Sequence, residues 1–202
     1  MDIYLIRHTE VAVGRSVSYG QTDVELATNY VEQRDRILTH LPTETNPSGR
    51  PSYLFSSPLN RCRLLANDLA TSAEIDLKSV QFDDRIKELN FGDWEMTPWA
   101  DIPRSTLDPW MNDFVNVGPP NGESFLDLFN RVGAFWEENI ISLATKNAGS
   151  VYIITHGGVI RALLCLFLDL SLQNAYRVHL DYGSLTKLTT DGQHYTIQYV
   201  NR

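Results

Sequence analysis

The sequence predicts an α/β protein: a three-layer α/β/α sandwich around a mostly parallel sheet with a hairpin at one edge. Short apolar runs with the length of buried strands alternate along the chain with segments of helical periodicity. Residues 151–155 are continuously apolar, which is typical of a central strand in a parallel sheet. The last two strands are joined through Asp191 and Gly192, a turn dipeptide common in antiparallel hairpins.

The first half of the chain contains three predicted strands and two predicted helices. The strands are residues 3–6, 53–55 and 80–82, the last at an edge of the sheet. The helices are residues 26–41, ended by Pro42, and about 60–71. Residues 11–23 and 43–51 are rich in glycine, proline, serine and threonine, and we expect loops there.

The second half begins with a long region that lacks clean periodicity. Residues 85–95 are expected to be irregular, and residues 96–122, with their prolines and tryptophans, to form a lid or insertion loop with a short helix around 109–116. The longest predicted helix is 123–146, and another follows His156 to about Leu168. The closing hairpin is predicted at 185–190 and 195–200. We interpret residues 1–202 as a single domain.

The charge and the apolar content of the sequence bear on its partners and location. The formal net charge is −8, from 25 acidic and 17 basic residues, which argues against nucleic acid and anionic membranes as partners. The longest apolar stretch, residues 159–170, is too short to span a bilayer and contains Arg161 and Asp169. With no leader pattern at the start, we expect a cytoplasmic protein. Cys62 and Cys165 lack the spacing of a disulfide framework or a metal site.

Polar residues suited to phosphate binding follow three of the predicted strands. They are Arg7 and His8, then Ser56, Ser57 and Arg61, and finally His156 and Gly157. Because the carboxyl ends of parallel strands lie at one edge of a sheet, we expect these groups to converge. Two arginines could bind phosphoryl oxygens in bidentate fashion, backbone amides at a helix N-terminus could add donors, and a neutral imidazole could act as nucleophile.

Five segments extend this pattern along nearly the whole chain. They are LIRHTE at 5–10, SSPLNR at 56–61, ELNFGDWE at 88–95, PNGES at 120–124 and THGG at 155–158. Together, and in this order, they resemble the motifs of the histidine phosphatase (phosphoglycerate mutase-like) superfamily.

The resemblance implies a set of roles for five residues. His8 would be the phosphorylated nucleophile, and Arg7, Arg61 and His156 would hold the phosphoryl group. Glu88 would donate a proton to the leaving oxygen and then activate water. The implied chemistry uses no metal and no cofactor, and the implied partner is a small phosphorylated metabolite. Whether the chain forms a homodimer is left open.

A subfamily resemblance suggests a substrate. GRSVSYGQTD at 14–23, followed by VEL, is similar to a block of the α-ribazole-5′-phosphate phosphatases of cobalamin nucleotide-loop assembly. Tyr19 and Gly20 would then bind substrate, together with Ser57 and Gly157. A broad-specificity sugar-phosphate or fructose-bisphosphate phosphatase, a phosphoglycerate mutase and a non-catalytic binder of phosphorylated ligands stay open as alternatives.

Some residues have competing interpretations. Met96 and Cys62 stand where the family usually has glycine and alanine, which bears on substrate shape more than on the chemistry. Glu95 competes with Glu88 for the role of acid, and the motif register favours Glu88. Trp99 and Trp110 either cover a ring-bearing substrate or pack the lid against the core. The remaining histidines match no motif and are expected to be ordinary surface or turn residues; they are His40, His179 and His194.

Overall fold

In a computed structural model, the described residues are 1–42, 52–72, 79–146 and 148–202. Their strands form a six-stranded sheet in the order β3-β2-β4-β1-β5-β6. The strands are β1 Asp2–Arg7, β2 Tyr53–Ser56, β3 Gln81–Phe82, β4 Ser150–Thr155, β5 Leu185–Thr190 and β6 Tyr195–Tyr199. Strands β1 to β4 pair in parallel, whereas β5 runs antiparallel to β1 and pairs with β6 in the edge hairpin. The predicted fold class is confirmed.

Helices cover both faces of the sheet. They are α1 Tyr30–His40, α2 Asn60–Ser72, α3 Arg104–Asn112, α4 Phe125–Phe135, α5 Ser142–Thr145 and α6 Gly157–Leu168. Alternate residues of β1 face opposite sides: Ile3 and Leu5 pack in the core with α4 and α6, and Tyr4 and Ile6 pack in the core with α1 and α2. All four are almost fully buried, so β1 lies at the centre of the three layers.

Two predicted helices differ from the observed ones at their N-terminal ends. The helix predicted from residue 26 begins at Tyr30, because the preceding residues pair with the segment after β1: Ala12 N donates to Glu25 O at 2.8 Å and Ala27 N to Glu10 O at 3.1 Å. The helix predicted from residue 123 begins at Phe125, where Ser124 and Asp127 form a capping box. A π-helical segment, Trp136–Ile141, then joins α4 to α5.

The short helix predicted around 109–116 is displaced toward the N-terminus. It spans Arg104–Asn112 and contains Pro109. The carbonyl of Pro103 accepts hydrogen bonds from Thr106 N and Leu107 N at 3.0 and 2.9 Å, which begins the helix, and buried Leu107 anchors it. The expected irregular region contains two single 3₁₀ turns, Asp84–Ile86 and Gly92–Trp94.

The connection predicted at 43–51 lies outside the described residues. In the described part of the chain, none of the helices has the length and apolar character that crossing a membrane requires.

Candidate active site

The ends of β1, β2 and β4 meet at one edge of the sheet. His8 N, just past β1, donates to Thr155 O of β4 at 3.0 Å, and Ser57 N, just past β2, donates to Ile154 O at 2.9 Å. The structure therefore places the three predicted strand-end groups side by side, as expected from parallel pairing of these strands.

His8 is buried and holds a defined tautomer. Its side chain is 1% exposed, and Nδ1 lies 2.7 Å from Thr9 O. Because a carbonyl oxygen only accepts, Nδ1 carries the proton, and the lone pair of Nε2 remains free. Burial, and then the charges of Arg61 and Arg7, lower the pKa of His8 well below the ordinary histidine value. His8 is therefore a neutral imidazole with a nucleophilic nitrogen at neutral pH.

His156 lies beside it. The two ring centroids are 5.1 Å apart, with the planes inclined at 60°. His156 Nε2 is hydrogen-bonded to Ser57 Oγ at 2.8 Å, and Cys62 Sγ lies 3.5 Å from the same nitrogen. Burial, and then nearby Arg61, lower the pKa of His156 well below its usual value. Burial raises the pKa of the Cys62 thiol to about 12, so this cysteine is a packing group rather than a reactive thiolate.

Arg7 and Arg61 are held in place by backbone carbonyls instead of carboxylates. Arg7 Nη1 donates to Leu180 O at 2.6 Å, and Arg61 donates to Thr22 O at 2.9 Å and to Gly20 O at 2.5 Å. Among the described residues, the buried Nε of each arginine has no hydrogen-bond partner. Buried guanidinium groups are costly unless an anion balances them, so this pair is suited to bind one.

Glu88 has a carboxylate fixed by two backbone amides. Its Oε1 accepts hydrogen bonds from Leu89 N at 2.9 Å and from Gly158 N at 3.1 Å. A Cβ at Gly158 would lie 2.2 Å from Oε1, so only glycine allows this approach. Arg131 holds the backbone behind it, donating to Glu88 O at 2.9 Å while pairing with Glu123 at 2.8 Å.

The carboxylate of Glu95, the other candidate acid, is occupied by backbone hydrogen bonds. It accepts hydrogen bonds from Gln21 N at 2.7 Å, Thr22 N at 2.8 Å and Phe91 N at 3.1 Å. These bonds hold the loop that carries Gly20. Glu88, in contrast, lines a cavity at this edge of the sheet.

The cavity has a volume of about 330 Å³. Of the predicted site residues, Arg7, Tyr19, Gly20 and Glu88 line it. The other predicted site residues are buried and are not among the residues that line the cavity; they are His8, Ser57, Arg61, His156 and Gly157. Trp99 lines the cavity and also stacks on Trp110, so packing of this region is observed, and a role in covering a ring-bearing substrate stays a prediction.

Sequence reasoning did not assign Tyr182 or Arg161 to the site. Tyr182 packs its ring 4.0 Å from Arg7 Cζ and 5.5 Å from the His8 ring, and its hydroxyl lies 2.7 Å from that of Tyr19. Arg161, one turn into α6, lines the cavity near Glu88. Arg161 could have been assigned to the site because it is a charged residue inside an apolar helix. Tyr182 could have been assigned because it lies just before a strand that pairs antiparallel with β1.

The remaining histidines agree only in part with the prediction. His40 and His194 are exposed and bond locally, to Arg36 O and Asp191. His179, expected to be an ordinary surface residue, is exposed and paired with Asp181 at 3.0 Å, yet it also lines the cavity. The expectation for His179 was incomplete because the turn before β5 folds back over the end of β1.

The cavity is locally positive although the chain is acidic. Its lining contains three arginines, Arg7, Arg15 and Arg161, and one carboxylate, that of Glu88. The whole chain, in contrast, has a net charge of −8. Within the described ranges, no three or more histidine, cysteine, aspartate or glutamate side chains are grouped so that they could hold a metal ion. The arrangement can bind an anion, present a neutral nucleophile to it and supply a carboxyl group nearby.

A comparison with known families matches residues 3–202 to the histidine phosphatase superfamily, branch 1. The chain belongs to this superfamily. It is therefore a phosphatase of this superfamily, with the fold that the sequence indicated.

Individual relatives are distant. The chain is 25% identical over 205 residues to phosphoserine phosphatase 1 of Hydrogenobacter thermophilus, covering 98% of this chain and 91% of that one. It is 23% identical over 206 residues to the adenosylcobalamin/alpha-ribazole phosphatase of Escherichia coli, covering 100% and 96%. Three mycobacterial proteins are 34% identical over 143 residues, but the match spans only 37% of their length.

Among solved structures, the alpha-ribazole phosphatase of Shigella flexneri superimposes with a TM-score of 0.85 at 22% identity, covering 100% of this chain and 96% of that one. At this identity the likeness shows a shared fold.

Proposed function

We propose that this chain is a metal-independent phosphomonoesterase that works through a phosphohistidine at His8. The observation that carries the proposal is the geometry of His8: Nδ1 is bonded to Thr9 O, and the free Nε2 belongs to a neutral, buried imidazole near Arg7 and Arg61. This combination provides both a nucleophile and a cationic site for its phosphoryl target.

The reaction has two steps. In the first, the Nε2 lone pair forms a bond to phosphorus, the phosphorus–oxygen ester bond breaks, and protonated Glu88 gives its proton to the leaving oxygen. In the second, Glu88 takes a proton from water, the water oxygen bonds to phosphorus, and the phosphorus–nitrogen bond breaks. The products are an alcohol and inorganic phosphate, and both His8 and Glu88 return to their starting forms.

The protein cations stabilise the charge that develops on the phosphoryl oxygens. The guanidinium groups of Arg7 and Arg61 offer bidentate donors, and the His156 ring lies 5.1 Å from the His8 ring. Loss of one such preorganised donor typically lowers kcat by about 10² to 10³.

A simple assay tests the proposal. Wild-type protein should release phosphate from p-nitrophenyl phosphate in the presence of EDTA, and His8→Gln should abolish turnover. His40→Gln is the matched control, because His40 is exposed and bonds only within its own helix. Wild-type turnover in His8→Gln, or loss of turnover on chelation, would refute the mechanism.

α-Ribazole 5′-phosphate is the substrate candidate that the sequence resemblance supplies. It is supported by Tyr19 and Gly20 of the resembling block, which line the cavity, and by the aromatic walls formed by Phe91 and Trp99. The names of the Escherichia coli and Shigella flexneri relatives support the same candidate. A role in cobalamin assembly, like a cytoplasmic location, is part of this proposal.

A second class of substrate, phosphomonoesters of small acids, is favoured by a different observation. Arg15 and Arg161 line the cavity in addition to Arg7, and these cations exceed what one phosphoryl group needs. The relative named phosphoserine phosphatase 1 supports this class. A substrate panel containing α-ribazole 5′-phosphate, O-phospho-L-serine and fructose 1,6-bisphosphate separates the two, and 3-phosphoglycerate with a bisphosphate primer tests for mutase activity.

A further inference from the structure

Arg161 lies next to the proposed reaction centre, close to Arg7 and Glu88. It lies one turn into α6, and its Nε donates to Val178 O at 3.1 Å. A Cβ at Gly157 would lie 2.9 Å from Arg161 Nη1 and 3.4 Å from Arg7 Cζ, so the two guanidinium groups flank this glycine. Arg161 also lies close enough to Glu88 for their charges to interact.

The charge of Arg161 is not balanced by an ion pair. Among the described residues, the arginines that pair with carboxylates are Arg34, Arg85, Arg104 and Arg131, and Arg161 is not one of them. The side chain is half-buried, with its guanidinium 5.1 Å from the centroid of the Tyr176 ring. Burial lowers the pKa of Arg161, while nearby Tyr176 and Glu88 act in the opposite direction.

An unpaired, partly desolvated arginine beside another arginine is unfavourable without an anion. Arg7 and Arg61 already supply two cations at the phosphoryl site. In the proposed reaction the leaving oxygen lies at Glu88, and Arg161 is a cation of the cavity wall whose charge interacts with that of Glu88.

We propose that Arg161 binds a second negative charge carried by the leaving group, close to the ester oxygen. The substrate class is then the phosphomonoesters whose alcohol bears a carboxylate or a second phosphate. α-Ribazole 5′-phosphate, with a single anionic group, does not use this subsite. The inference rests on the proposed function, and it decides between the two substrate classes given above.

Matched pairs of substrates test the subsite. O-Phospho-L-serine and O-phosphoethanolamine differ only in the carboxylate, and fructose 1,6-bisphosphate and fructose 6-phosphate differ only in the second phosphate. Wild-type kcat/KM should be higher for the doubly anionic member of at least one pair. Arg161→Gln should lower kcat/KM for that member about 10- to 100-fold, the effect of one charge-assisted hydrogen bond.

The singly anionic partner provides the internal comparison. In Arg161→Gln, kcat/KM for this substrate and the inhibition constant of inorganic phosphate should change less than about threefold. In Arg161→Lys, kcat/KM for the doubly anionic substrate should be partly restored. Arg104→Gln, an exposed arginine on α3 paired with Asp108, is the control variant and should behave as wild type.

Three results would overturn the proposal: an equal loss on both members of a pair, no loss on either, or a wild-type preference for the singly anionic member of both pairs. An equal loss would mean that Arg161 serves the phosphoryl group or the fold. Failure of the proposed function is distinct, because His8→Gln would then hydrolyse both members of each pair.

Discussion

At the scale of residues, the site depends on a few side chains whose protonation and direction are fixed by backbone atoms. Thr9 O sets the tautomer of His8, and the carbonyls of Leu180, Thr22 and Gly20 direct the two arginines. The carboxylate of Glu88 depends in the same way on a glycine amide. Such contacts leave each functional group free of carboxylate partners that would compete with a phosphoryl group.

Gly158 offers a direct test of Glu88 as proton donor. In Gly158→Ala, the new Cβ would lie 2.2 Å from Oε1 and must displace the carboxylate. Alkyl phosphates need a protonated leaving oxygen, so we expect kcat to fall about 10²-fold or more for them. p-Nitrophenyl phosphate has a good leaving group, and its kcat should fall much less.

The control for this variant is Gly133→Ala in α4. A Cβ at Gly133 meets nothing within 4 Å, so this variant carries the same chemical change without a clash. Equal losses on alkyl and aryl phosphates in Gly158→Ala would mean that Glu88 is not the acid.

Some residues of the site could be predicted from the sequence and others could not. Parallel pairing of β1, β2 and β4 explains why the residues that follow these strands, among them His8, Ser57 and His156, lie close together. Their roles stay predictions until assayed. The charge in an apolar helix marks Arg161, but neither Arg161 nor Tyr182 can be placed at this edge of the sheet until the packing of the folded chain is known.

At the scale of elements, the turn from Leu180 to Ser184 encloses the end of β1. Leu180 O accepts from Arg7 Nη1 at 2.6 Å, Gly183 N donates to His8 O at 3.0 Å, and Arg7 N donates to Ser184 O at 3.0 Å. Tyr182, between them, places its ring against the Arg7 guanidinium. This turn therefore fixes the direction of Arg7.

Tyr182 variants test that function of the turn. Tyr182→Leu removes the cation–π contact, so we expect KM for p-nitrophenyl phosphate and the inhibition constant of inorganic phosphate to rise about 3- to 30-fold, with a smaller change in kcat. Tyr182→Phe keeps the ring and should stay within about twofold of wild type. A Phe variant as impaired as the Leu variant would show that the hydroxyl bonded to Tyr19, not the ring, matters.

Element boundaries were predicted less well than element types. Helix α1 starts later than expected because residues 25–27 pair with the segment after β1, a long-range choice that periodicity does not reveal. Helix α3 contains Pro109 because the carbonyl of Pro103 and buried Leu107 begin the helix before that proline. In both places tertiary contacts override the local signal.

At the scale of the whole molecule, burying two neutral histidines links stability to pH. Burial lowers the pKa of both His8 and His156, so below about pH 6.5 the unfolded chain binds protons that the folded chain does not. The free energy of unfolding should therefore fall as pH decreases below that value, by up to about 1.4 kcal/mol per pH unit for each histidine. Stability from these groups is complete above about pH 6.5.

Urea unfolding at pH 7.5, 6.5 and 5.5 measures this effect. His156→Gln should show a shallower dependence than wild type, by about 0.7 kcal/mol per pH unit near pH 6.5, rising toward about 1.4 kcal/mol per pH unit at pH 5.5. His194→Gln, which alters an exposed histidine in a turn, should keep the wild-type dependence. Identical curves for wild type and His156→Gln would contradict the burial of a neutral imidazole.

The central claim is that phosphate passes through His8, and trapping the intermediate tests it most directly. Wild-type protein mixed rapidly with p-nitrophenyl phosphate, quenched in alkali and digested should yield a phosphorylated peptide containing His8, formed and lost at rates that match turnover. His8→Gln should yield no phosphopeptide and no turnover. A phosphoryl group found on another residue, or full turnover without a phosphopeptide in the wild type, would contradict the account.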